Sequence, residues 1–292
     1  MDILALPHNA SKLSSGGIRI HFGIDRLTFW LDQDARTGIL HVPGDTTRAT
    51  SRSARMPMNP LWRTPIDVTA PTSLWLRHLG QDVAFAAQIH ITYVELAVDV
   101  SFKSPDHSTK MQAAIIGHTK FMHRRDALAE HMGTYYCGKR SHAGTKNAHV
   151  VALYADRPSK MGLAQGLAQA GICMHLEHRL SGSSTIAAAG IRTMADLIQF
   201  DHVAYHAQNN RIFQLPSQTE LGRLLAAGQG HCVADAALRK RARKWRAEHQ
   251  LDDGTFCLHN ALRGTSGLER HLQRAEFLPW LKSTAARIAS EK

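Results

Sequence analysis

Several stretches alternate apolar and polar residues with the period of two that predicts β-strands. Ile18 to Leu31, IRIHFGIDRLTFWL, reads as one or two strands. In its second half Asp25, Leu27, Phe29 and Leu31 share one face, and Ile24, Arg26, Thr28 and Trp30 the other. Ile89 to Phe102, IHITYVELAVDVSF, sets Val94, Leu96 and Val98 against Glu95, Ala97 and Asp99. Val150 to Leu153 is a short run with a β-branched start, and Tyr154 closes it just before the polar Asp156, Arg157 and Pro158. Ile172 to Leu180, ICMHLEHRL, puts Ile172, Met174, Leu176, His178 and Leu180 on one face and Cys173, His175, Glu177 and Arg179 on the other.

Helices are expected between and after these strands. Ser104 and Pro105 suit a helix N-terminus, followed by Met111, Ile115 and Ile116 packing on an apolar strand face. Ser159 to Ala170 reads as a short helix weakened by Gly162 and Gly166. Further helices are expected within Ser183 to Phe200, Gln214 to Gly228 after Pro216, and Val233 to His249. Asp252, Asp253 and Gly254 make a turn, and a last helix over Leu268 to Arg287 is bent at Pro279. Asp34 to Pro71, rich in Arg, Thr, Ser and Pro, predicts long loops or short edge strands. The fold class is therefore α+β: an antiparallel-rich sheet with flanking helices over residues 1–215, then a mainly helical basic region over 216–292.

Charge changes the picture. The formal net charge is +11 over 292 residues, which points to a polyanionic partner, nucleic acid ahead of membrane. Cys137, Cys173, Cys232 and Cys257 are scattered without a CxxC pair, so reduced thiols are expected, neither zinc site nor disulfide framework. MDILALPHNASK has no basic lead or long apolar run, and no stretch approaches the ~20 apolar residues of a membrane span. The expectation is a cytoplasmic protein.

The candidate chemistry gathers around Tyr154. Upstream, Lys139, Arg140 and Lys146 lie among Gly, Ser, Thr and Asn, a loop composition with cationic donors for a phosphate. A phenol near such a clamp points to phosphoryl transfer; a ring that merely closes a strand edge is the alternative. Glu95 and Asp99 are expected about 7 Å apart by backbone rise, near enough to share a divalent cation, or else to be solvated acids on a half-exposed strand. Asp25 either lines a site or begins a turn. The Val233 to His249 helix carries Arg239, Arg243 and Arg246 near helical spacing around Trp245, either a phosphate-tracking face with an anchoring aromatic or a solvated basic surface.

The order VELAVDV, YYCGKRS…VVALYADR, MHLEHRL resembles the replication initiators of filamentous phages (the gene II proteins) and of related rolling-circle plasmids, over residues 18–205. GIDRLTF is similar to that family's opening strand. The resemblance implies a nicking-nuclease fold in which Tyr154 attacks a DNA phosphodiester at an origin, keeps the 5′-phosphate and later rejoins strands. It implies Glu95, Asp99 and Glu177 as ligands of Mg²⁺ or Mn²⁺, oxygen donors suiting these ions better than zinc. A nitrogen ligand from His90 or His175 ranks below these, because the chain has no His-hydrophobe-His triplet of the usual HUH nucleases. Arg157 or Lys160 stands in for the lysine that commonly follows the family's tyrosine. Implied partners are double- and single-stranded origin DNA, with a host helicase and polymerase. Tyr93, Glu95 and His175 stand where the family has arginine, aspartate and arginine. Tyr135 and Tyr136 are rival nucleophiles, and a mobilisation relaxase or a non-cleaving DNA-binding regulator are the alternative activities.

Overall fold

The computed structural model of the chain describes residues 18–32, 40–51, 59–122, 126–138, 148–161, 172–227, 234–265 and 267–291. Its strands are β1 (Arg19–Leu31), β2 (Arg48–Ser51), β3 (Thr64–Thr69), β4 (Ile89–Ser101), β5 (Thr119–Phe121), β6 (Leu128–His131), β7 (Thr134–Cys137), β8 (Ala148–Pro158), β9 (Ile172–Ser181), β10 (Asn210–Gln214) and β11 (Gln273–Ala275). Its helices are α1 (Ser73–Gln81), α2 (Val83–Ala86), α3 (Pro105–His118), α4 (Ser183–Ala188), α5 (Met194–Ile198), α6 (His202–Asn209), α7 (Gln218–Ala226), α8 (Asp235–Glu248), α9 (Leu258–Gly264) and α10 (Phe277–Ser290). The fold is α+β. An eight-stranded sheet in the order β2-β3-β1-β4-β9-β8-β7-β6 is antiparallel throughout. A three-stranded sheet joins β11, β10 and β5.

One face of the large sheet is apolar because alternation along its central strands makes it so. Ile20 and Phe22 of β1, Val98 and Val100 of β4, Val151 and Leu153 of β8, and Met174 and Leu176 of β9 form one buried cluster with Met111, Ile115 and Ile116 of α3. Ser104 and Pro105 start α3 as expected. Burying each such aliphatic side chain stabilises by about 1.5–3 kcal/mol. Phe277, Leu281, Ala285 and Ile288 of α10 enter the same cluster, so the C-terminal region shares this core. Towards the other end, Leu27, Phe29 and Leu31 pack with Leu96 and with Trp75, Leu76 and Leu79 of α1. Side-chain caps from Thr72, Thr193, Asp201 and Ser217 start α1, α5, α6 and α7.

Some expectations require correction. β8 does not end at Tyr154 but runs to Pro158, with a register shift between Tyr154 and Arg157, because the polar residues continue the ladder through a bulge. In β1 the register with β4 shifts between Ile24 and Arg26, leaving Asp25 as an inserted residue. This switches parity: Ile20, Phe22 and Ile24 lie on the buried apolar side before the bulge, and Leu27, Phe29 and Leu31 after it. Asp25 therefore does not share a face with Leu27. Pro279 does not bend the last helix; α10 starts at Phe277, and Pro279 sits in its first turn, where no intrahelical N–H bond is lost. The expected helix over Ser159 to Ala170 lies largely outside the described residues. No helix among the described residues is long and apolar enough to cross a membrane. Cys137, Cys173 and Cys257 are buried.

Candidate active site

The other face of the central strands carries the polar residues. Opposed residues of antiparallel strands project to the same side, and the register reads Glu95 with Arg179, Ala97 with Glu177 and Asp99 with His175 between β4 and β9. Between β8 and β9 it reads Ala152 with Glu177 and Tyr154 with His175. This face is buried too: Asp25, Glu95, Asp99, Glu177 and Tyr154 are all 6% exposed or less. Buried charges are costly unless paired, and the pairing is extensive.

Tyr154 donates its phenolic hydrogen bond to Glu177 Oε1. Arg179 holds Glu177 Oε2 through Nε at 2.8 Å and Nη2 at 2.7 Å, and its Nε lies 3.6 Å from Glu95 Oε1. Tyr93 donates to that same Glu95 oxygen. Lys160 Nζ is 2.6 Å from Asp25 Oδ2. The Tyr154 ring stacks on His175 at 4.3 Å and 21°, and the Arg157 guanidinium lies 5.4 Å from its centroid. His175 Nδ1 faces Asp99 Oδ1 at 2.8 Å and its Nε2 the Arg157 carbonyl at 3.0 Å. Ser159 donates to the other Asp99 oxygen.

Carboxylate oxygens of Asp25, Glu95 and Glu177 lie within 4.8 Å of one another, whereas Asp99 groups with Cys173 and His175. Glu95 and Asp99 share a strand face as expected, but four residues of strand separate them by about 13 Å of backbone rise, not about 7 Å. Asp25 takes the third place beside Glu95 and Glu177. The β1 bulge puts it there, and a bulge depends on two strands at once, so sequence reading left Asp25 between site and turn.

The electrostatics follow from burial and crowding. Burial, then the Glu177 charge, push the Glu95 carboxyl up to about 7 against the opposing pull of Arg179. Burial, then the Glu177 charge and hydrogen bond, hold the Tyr154 phenol far above its ordinary range. Burial, the largest single influence, would lower Lys160, but the Asp25 charge and hydrogen bond together with the Glu177 and Glu95 charges raise the amine. His175 is raised likewise: burial lowers it, and the Asp99 charge and hydrogen bond, the Arg157 carbonyl and the Glu177 charge together more than offset that. Three carboxylates thus meet two cationic side chains, Arg179 and Lys160, and one acid is pushed toward its neutral form. The ligand atoms of this group are all carboxylate oxygens, a donor set able to hold a metal ion.

The remaining sequence candidates are dispersed. Lys139, Arg140 and Lys146 lie outside the described residues. Arg239, Arg243 and Arg246 are exposed on α8, but Trp245, expected as an anchoring aromatic, is buried and donates Nε1–H to Thr265 Oγ1. Tyr135 points to the apolar side and donates to Asp253. Tyr136 is half-buried, opposite Ala152 and thus on the polar face, 5.9 Å from the Arg179 guanidinium. His90 pairs with Asp32 at 2.8 Å, away from the carboxylates. Arg179 and Tyr93 were not foreseen as site residues. The signal for both was spacing: each lies two positions from a site glutamate on an alternating strand. The chain matches no protein-family model and no curated protein.

Proposed function

We propose that this chain is a replication initiator of the rolling-circle type, with a nicking-nuclease fold, that cuts one DNA strand through Tyr154. The observation that carries the reading is the Tyr154 hydroxyl on Glu177, inside the Asp25, Glu95 and Glu177 carboxylate group. The phenolic oxygen attacks phosphorus, its proton passes to Glu177, and the bond from phosphorus to the 3′-oxygen breaks. The leaving 3′-oxygen takes up a proton from Glu177 or solvent, and the products are a 5′-phosphotyrosyl link and a free 3′-hydroxyl. Because the ester is conserved in the link, attack by a 3′-hydroxyl reverses the step and joins strands. Arg179 holds Glu177 in place to receive the proton, and Lys160 adds positive charge beside Asp25 for the phosphate. Asp25, Glu95 and Glu177 would hold Mg²⁺ or Mn²⁺, which supplies charge neutralisation at the phosphate and leaving oxygen.

A second reading has its own observation. Tyr154 is only 4% exposed, which favours a DNA-binding protein that keeps the constellation without cleaving. Nicking of supercoiled origin-bearing DNA separates the two. The first reading expects nicking with Mn²⁺ or Mg²⁺, none with chelator, and none from Tyr154→Phe. DNA binding without metal-dependent nicking would overturn it in favour of the second.

A further inference from the structure

A stack of rings stands on the polar side of β1 and β4, beyond the carboxylates. Trp30 and His90 are directly opposed across the two strands. Trp62 lies over both, 5.9 Å and 25° from Trp30 and 5.5 Å and 23° from His90. A second register shift, between Thr28 and Phe29, puts these rings on the active-site face. It sends Ile89 and Ile91 to the buried apolar side with Phe29 and Leu31, and leaves His90 on the side of Tyr93 and Glu95. Successive opposed pairs then read Trp30 with His90, Thr28 with Tyr93, and Arg26 with Glu95. Trp30 is about 13 Å along the strand from Arg26.

This surface is not packed as a core. All three rings are only half-buried and Leu61 beside Trp62 is 66% exposed, although the Trp62 indole N–H itself is buried, with no hydrogen-bond partner among the described residues. Arg63, next to Trp62 in the chain, is exposed, as are Arg26 and Arg48 farther along this face. Arg26 and Arg48 both oppose Thr69 and so lie in one line across β1, β3 and β2 on this face. Of the acids nearby, Asp32 pairs with His90, and one oxygen of Asp67 accepts from the Thr28 hydroxyl. Flat π faces with a cationic rim match the two parts of a single-stranded nucleic acid, bases that stack and phosphates that need positive charge.

We infer that Trp30, Trp62 and His90 form a stacking platform for unpaired DNA bases, with Arg26, Arg48 and Arg63 along the phosphates. It rests on the nicking reading only in taking DNA as the partner, and gives the single strand a path across the sheet to Glu95 and Tyr154. Full-length protein is titrated, in chelator so that nothing is cut, with a fluorescent oligo-dT strand and with an abasic strand of equal length. Base stacking on an aromatic ring predicts that Trp62→Ala binds oligo-dT roughly 5- to 150-fold more weakly. Trp62→Phe should retain most of the affinity, and the abasic strand should bind wild type and Trp62→Ala alike. Wild-type affinity of Trp62→Ala for oligo-dT, or equal loss on both strands, would overturn the platform. Should Trp62→Ala fail to fold, wild type and Trp62→Phe decide: equal affinity of wild type for the two strands overturns the inference, and a preference for oligo-dT that Trp62→Phe keeps upholds it. Base-dependent binding without any tyrosyl adduct would sink the nicking reading and leave the platform standing; an adduct without base-dependent binding would do the reverse.

Discussion

Tyr154 and Glu177 are bonded without being opposed: Tyr154 pairs with His175 and Glu177 with Ala152, and the phenol reaches diagonally to the carboxylate while its ring lies on the imidazole. The diagonal fixes the oxygen by its acceptor and the ring by its stack, so the direction of the hydroxyl is set by two neighbouring positions of β9.

Removing only the proton acceptor follows directly. Glu177→Gln keeps the size and a hydrogen-bonding oxygen but does not accept the proton as a carboxylate does. Nicking should fall by roughly 10²- to 10⁴-fold, with binding of the same DNA, measured by anisotropy, little changed. Equal loss of both would assign Glu177 to DNA binding and not to proton transfer.

The Glu95 carboxyl gives a pH signature. Its folded value, pushed up to about 7 from an ordinary 4.5, means that the folded state holds this proton more tightly than the unfolded chain. The contribution to stability is fully present below about pH 4.5 and is lost as pH rises through about 7. In chelator, the urea midpoint of wild type should decline across this window relative to Glu95→Gln. Parallel curves for the two proteins would contradict the assigned burial of Glu95.

Gly222 of α7 tests the packing of the C-terminal helices apart from any activity. A Cβ there would stand 2.2 Å from the Leu238 carbonyl oxygen and 2.6 Å from its carbon, both backbone atoms of α8. Gly222→Ala should destabilise by about 1–3 kcal/mol or more, because one helix must move off the other. An unchanged denaturation midpoint would show that α7 and α8 do not approach as described.

How far the sequence was legible depends on whether a feature belongs to one strand or to two. The faces of β9 and of β4 from Tyr93 onward were readable from alternation alone, since Glu95, Asp99, Glu177 and His175 obey it without interruption, whereas the register shift before Tyr93 was not. Asp25 and Tyr154 were not placed correctly, because both sit at register shifts, and a bulge is defined by its partner strand. Burial of the polar face was likewise hidden. Acids on alternating strands are normally solvated; here each finds Arg179, Lys160, Tyr93, Tyr154 or His175 from another position in the chain or two residues along its own strand. The Trp30, Trp62 and His90 stack draws on three separate segments and left no local pattern.

On α8, Arg239, Arg243 and Arg246 are exposed as a phosphate-tracking face requires, and Arg246 also lies 5.1 Å over the Phe256 ring. Neutralising all three should flatten the slope of log affinity against log salt by about two units or more if each contacts a phosphate. Cleavage of a pre-bound short single strand should be much less affected. An unchanged slope would make this helix a solvated surface.

The central claim is that Tyr154 becomes covalently joined to DNA. The protein is incubated with Mn²⁺ and a single-stranded oligonucleotide spanning a cleavage site, digested, and the modified peptide located by mass spectrometry. The account predicts a 5′-phosphotyrosyl adduct on Tyr154, absent in chelator and in Tyr154→Phe. The same adduct on Tyr136, which stands half-buried on the same face beside Arg179, or DNA cleaved with no adduct on any tyrosine, would contradict it.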